Sequence, residues 1–134
     1  MDIYKRFYLL KNIGKDKFEN LRKKKILIVG AGSLGSNIIL NLVRLGFKEI
    51  NIIDYDVVEE ENLCVQEYDI EDLKCGKPKV IALKEKYERI NEEIKINAIH
   101  EEINPENIYN FIKGIDLIID ATDNFDTRFL INEI

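Results

Sequence analysis

The stretch ILIVGAGSLGSNI, residues 26–38, constrains this chain more than any other. A short, wholly apolar, β-branched run passes through GxGxxG into a segment with helical spacing. Apolar residues at every position imply a strand covered on both faces, as in a parallel sheet. Gly30, Gly32 and Gly35 then form the strand-to-helix turn in the context the motif requires. Gly30 permits the tight turn, Gly32 lets backbone approach phosphate oxygens, and Gly35 lets the helix pack on the strand. The helix start offers unpaired N–H groups and the positive end of a dipole. A dinucleotide, a nucleoside triphosphate and a ligand-free turn all remain open at this point.

The rest of the chain extends the same architecture. An N-terminal segment, about 1–22, reads as helical around Phe18 and Leu21, and the basic run Arg22 to Lys25 reads as a solvated connection rather than a binding patch. Leu34, Ile38, Leu42 and Leu45 set a helical stripe that Gly46 ends. EINIID, residues 49–54, is a second buried strand, and residues 55–75 read as a loop with at most a short turn. Pro78 opens a helix whose stripe is Val80, Leu83, Tyr87 and Ile90, ending near Asn91. IKINAIHEEI is a third strand with His100 half-buried in it, 105–112 a short helix, DLIIDA (116–121) a fourth strand, and Asp126 onward a last helix. Strand and helix alternate, so the expectation is an α/β, Rossmann-like parallel sheet of order 3-2-1-4 with helices on both faces. No fifth strand follows the apolar DLIIDA, so the chain reads as the front half of something larger.

Composition narrows the function. With 134 residues and 46% apolar composition, one compact domain is expected. A net charge of -5 excludes the cationic surface that non-specific nucleic-acid binding needs. Cys64 and Cys75 fit neither a zinc pair nor a disulfide framework, which points to a reducing cytoplasm. No run approaches a membrane span or a signal peptide. Asp54, 24 residues beyond Gly30 at the end of the second strand, suits the two hydroxyls of a ribose.

Three further stretches bear on the nucleotide: IIDYDVVEEENLCVQ, GKPK and IIDATDNFDTR. With the glycine motif, and in this order, they resemble the ThiF/MoeB/HesA family of ubiquitin-activating-type adenylating enzymes, from about Tyr4 to the last residue. The resemblance implies a nucleotide-binding half-domain, 1–134, truncated relative to the family. It implies ATP and magnesium, and AMP transfer to the C-terminal glycine carboxylate of a small ubiquitin-like or sulfur-carrier protein. By resemblance Asp54 holds the ribose, Asn62 and Gln66 belong to the polar shell around the nucleotide, Lys79 contacts phosphate and Asp123 binds magnesium. Arg6, in YKRF, matches an arginine that family members extend into a neighbouring protomer's site, which implies a homodimer.

Each assignment has a plainer rival. Lys79 could pair with Glu59 or Glu85, Asp123 or Asn124 could simply cap a helix, Arg6 could snorkel, and Arg128 suits a structural ion pair. Val65 stands where the family has arginine and Phe7 where it has an amide, which removes one charge-assisted phosphate contact. A non-catalytic scaffold remnant of the family and an NAD-dependent oxidoreductase fragment are the competing functions.

Overall fold

A computed structural model describes residues 3–134, so Met1 and Asp2 of the expected N-terminal segment lie outside the described residues. Four parallel strands, β1 (Lys25–Val29), β2 (Glu49–Ile53), β3 (Lys95–Ile99) and β4 (Leu117–Asp120), form one sheet in the order β3-β2-β1-β4. The expected order is the observed one. Register follows from the central strand, where Ile28 pairs with Ile52 on one side and Ile119 on the other.

Alternation along the strands divides the core into two layers. Ile26, Ile28, Ile50, Ile52 and Ile96 point to one face. There they meet α3 (Ser33–Leu45) and α5 (Lys79–Glu88) through Ile39, Val43, Val80, Leu83 and Tyr87. Leu27, Val29 and Ile53 point to the other face, against Ile108 of α6 (Ile108–Ile112) and Leu130 and Ile131 of α7 (Phe125–Asn132). Helices therefore cover both faces, as expected. Each fully buried isoleucine contributes roughly 1.5–3 kcal/mol, so β1 and β2 carry most of the fold. Asn51 lies on the α6 face without an orphaned amide, donating to Ile26 O at 3.1 Å and accepting from Asn97 at 2.9 Å.

Several sequence expectations need correction. The N-terminal segment is two helices, α1 (Lys5–Tyr8) and α2 (Gly14–Arg22), rather than one. Arg22 is not solvated: it is 4% exposed, donates to Gly46 O at 2.8 Å, pairs with Glu19 and Glu93, and lies 3.9 Å from the Tyr4 ring centroid. The inward stripe of α3 runs through Gly35, Ser36, Ile39, Leu42 and Val43, leaving Leu34 exposed. The loop 55–75 contains a 3-10 turn (Glu60–Asn62) and α4 (Ile70–Lys74), which Asp69 caps through Glu71 N and Asp72 N. Helix α5 stops at Glu88 and Ile90 is exposed. His100 lies past β3 in the exposed connection, with Nε2 2.8 Å from Tyr55 O.

Candidate nucleotide site

A cleft of about 450 Å³ opens at the carboxyl ends of β1, β2 and β4, within the size range of small-molecule sites. In a sheet of this order the connections diverge between β1 and β4, and ligands bind at that divergence. The glycine turn forms its floor. Gly30 has φ of +100°, and a Cβ there would sit 2.7 Å from Ala121 O, so no other residue fits between β1 and β4. A Cβ on Gly35 would overlap Gly30 O at 1.9 Å, which explains how α3 packs so tightly against the turn. Gly32 borders the cleft with open space in front of it, and α3 begins at the next residue.

Of the expected site residues, Gly30, Gly32, Asp54, Gln66, Lys79 and Asp123 all line the cleft. Asp54 follows β2, where its two oxygens accept from Ala31 N at 2.6 Å and Asp56 N at 2.7 Å. Each oxygen keeps a lone pair free, which is what two ribose hydroxyls require. Lys79 is the first residue of α5, brought in by an antiparallel bridge between Val57 and Pro78. It is 6% exposed, and its Nζ donates to Asp56 Oδ2 at 3.0 Å, not to Glu59 or Glu85. The Glu85 partner is Lys77, at 2.8 Å. Helix capping falls to Asn124, whose side chain accepts from Thr127 N at 2.8 Å. Asp123 makes no hydrogen bond or ion pair among the described residues.

Asn62, Gly35 and Arg6 do not line the cleft. Asn62 is buried and organises the loop behind it: its Oδ1 accepts from Glu59 N at 2.9 Å, and its carbonyl accepts from Gln66 N at 2.8 Å. That turn delivers Gln66, whose Oε1 is buried without a hydrogen-bond partner. An orphaned polar atom in a cleft wall can accept from a ligand or from water. Arg6 is exposed on α1. Arg128 donates from Nε to Thr122 O at 3.2 Å, with Asp120 a distant 3.9 Å away. The expected ion pair is thus mainly a hydrogen bond to backbone.

Carboxylates dominate the field. Asp54, Asp56, Glu101, Glu102 and Asp123 line the cleft against only Lys79 and Arg128. Asp56 above all, with burial and Glu102 adding, holds the Tyr55 phenol above its ordinary value. A triphosphate can enter such a field only with a cation to offset its charge. Among the described residues no three His, Cys, Asp or Glu side chains cluster as a self-sufficient metal cage. The donor set fits magnesium, which is commonly held by one or two carboxylates, substrate phosphates and water.

A parallel sheet of order 3-2-1-4 with a glycine-rich turn and an acidic residue closing β2 defines a Rossmann-like domain. The ThiF family model matches residues 4–134, and the chain belongs to that family. It is 32% identical to a sulfur carrier protein adenylyltransferase of Thermus thermophilus, over 99% of this chain and 49% of that protein. It is 34% identical to the ThiS adenylyltransferase of Bacillus subtilis, over 97% of this chain and 39% of that protein. Among solved structures, the tRNA N6-threonylcarbamoyladenosine dehydratase of E. coli in complex with AMP superposes with a TM-score of 0.79 at 26% identity. The match covers 85% of this chain and 46% of that one. The same dehydratase in complex with ATP gives 0.73 at 26% identity, over 85% of this chain and 47% of that one. The chain spans between about a third and a half of the length of the curated relatives it matches. No helix among the described residues is long and apolar enough to cross a membrane.

Proposed function

We propose that this chain is the ATP- and magnesium-binding half-domain of a cytoplasmic adenylating enzyme that activates the C-terminal carboxylate of a ubiquitin-like or sulfur-carrier protein. The observation that carries the reading is Lys79, an almost fully buried ammonium in a cleft of carboxylates that also holds the glycine turn and Asp123. A carboxylate oxygen of the carrier forms a bond to the α-phosphorus, the bond from that phosphorus to the bridging oxygen breaks, and pyrophosphate leaves. Asp54 holds the ribose, the turn around Gly32 and the α3 start receive phosphate oxygens, and Lys79 neutralises the charge that develops. Asp123 holds the magnesium ion, which shields the triphosphate when bound. Gln66 supplies its orphaned oxygen to the polar shell, and Asn62 sets the turn that presents it. The relatives named as adenylyltransferases and the AMP and ATP complexes of the solved neighbour support this chemistry.

The working unit is a homodimer, with Arg6 of one copy completing the site of the other. Exposed Phe125, Phe129 and Leu117 on the β4 side give a lone chain reason to associate. Sedimentation at micromolar concentration checks this, and a clean 15.7 kDa monomer overturns it. ATP–pyrophosphate exchange in the presence of a ubiquitin-like protein tests the activity. Arg6→Ala and Asp123→Ala each abolish exchange, and mixing the two variants restores part of it, because one mixed-dimer site keeps both residues. No restoration despite demonstrated subunit exchange places the arginine outside the partner's site.

A further inference from the structure

The glycine turn is held from below by a residue that no motif marks. Tyr68, 6% exposed, donates its hydroxyl to Ala31 O at 2.5 Å across 37 residues of chain. The N–H of the same Ala31 is held by Asp54 at 2.6 Å. A trans peptide points its C=O and its N–H in opposite directions. Fixing Ala31 O toward the core therefore aims the Gly32 N–H outward. That N–H makes no hydrogen bond among the described residues, and Gly32 borders the cleft. Glycine is also the residue whose backbone rotates most freely. The position that lets phosphate approach is thus the one most in need of an external anchor.

We propose that Tyr68 is a positioning residue for phosphate binding: its hydroxyl locks the Ala31–Gly32 peptide so that the Gly32 N–H faces a phosphate oxygen of the nucleotide. Burial first, then the neighbouring Asp54 carboxylate, push the phenol far above its ordinary value, so it remains a donor throughout the working pH range. A second buried phenol provides the contrast. Tyr87 OH donates to Ser36 O at 3.3 Å, inside α3, where the helix already fixes the backbone.

The inference rests on the nucleotide reading, and its test separates the two. Tyr68→Phe keeps the ring and removes only the hydroxyl. Titration with ATP·Mg and ADP·Mg should show affinity lowered about three- to tenfold, the effect of one well-placed hydrogen bond. Affinity for adenosine, which has no phosphate, should stay within about twofold, and Tyr87→Phe should leave the ratio of ADP to adenosine affinity unchanged. Equal losses for ADP and adenosine, or none for either, overturn the role of Tyr68. Failure of the wild-type chain to bind any of the three overturns the nucleotide reading itself. If Tyr68→Phe does not fold, the Gly32 amide resonance of the wild-type chain decides: it shifts downfield with ADP·Mg and not with adenosine. The absence of that difference contradicts the proposal.

Discussion

The two walls of the cleft stand on different foundations. The β1–β2 wall carries the glycine turn, Asp54 and, through α5, Lys79. Residues 26–29 of β1 are at most 3% exposed, and Ile50, Ile52 and Ile53 at most 1%. The β4 wall carries Thr122, Asp123 and Arg128, yet no residue of β4 or α7 is fully buried, and Phe125 and Phe129 are 69% and 64% exposed. The proposed ribose and phosphate contacts thus rest on a close-packed core, whereas the proposed magnesium ligand stands on a thinly covered edge. Preorganisation is most valuable where charge must be met at fixed positions. The first wall is therefore rigid within the single chain, and the second is not.

The largest expected effect contrasts the walls directly. Ile52→Ala should cost roughly 2–5 kcal/mol of stability by opening a cavity in the close-packed layer. Phe129→Ala, at a protein concentration low enough to keep copies apart, should stay within about 0.5 kcal/mol, as for an ordinary surface position of the single chain. Urea unfolding of both variants measures this, and equal losses would erase the distinction.

Lys79→Met comes next, because it keeps the buried stem and removes only the charge. ATP·Mg affinity should fall about tenfold or more through loss of a charge-assisted phosphate contact. Stability should stay nearly unchanged, since the apolar replacement avoids burying an ammonium and the Asp56 carboxylate left behind is 46% exposed and stays solvated. A stability loss with unchanged ATP affinity would mean that the Lys79–Asp56 pair is purely structural.

The smallest effect lies at the edge strand. Hydrogen bonds from the Lys24 ammonium first, then Lys25 N, hold the Asp116 carboxyl below its ordinary value. The unfolded chain therefore binds this proton more readily. The stabilisation is complete above the ordinary aspartate range and is lost as pH falls through the lower, folded value. Asp116→Asn should lower stability slightly at neutral pH, where the contribution is complete, and change nothing at acid pH, so that the acid limb flattens. An unaltered acid limb would remove Asp116 from the edge's electrostatics.

The same contrast explains what could be read from the sequence. β1, β2 and the glycine turn were legible because burial on both faces leaves an uninterrupted apolar run, and strand–helix alternation then orders the sheet. The buried face of α3 is not legible in the sequence, because apolar residues occupy two adjacent stripes and Ser36 sits on the buried one. Arg22 was hidden because its partners Gly46 and Glu93 come from distant parts of the chain, and local charge patterning carries no such information. Asp69 and Asp72 held a readable capping signal for α4 that the absence of apolar periodicity obscured. At the site, the motifs point to Gly30, Gly32, Asp54, Gln66, Lys79 and Asp123, all of which line the cleft. Neither the Asp56 partner of Lys79 nor the Tyr68 anchor had any local signal, since each depends on a loop returning to the turn.

The cleft should accept a triphosphate with its metal rather than a dinucleotide. Isothermal titration of the same protein with ATP plus magnesium and with NAD tests it most directly. Measurable ATP binding that depends on magnesium and on Lys79, with no NAD binding, is the expected result; tighter binding of NAD, or binding of neither, overturns the triphosphate reading.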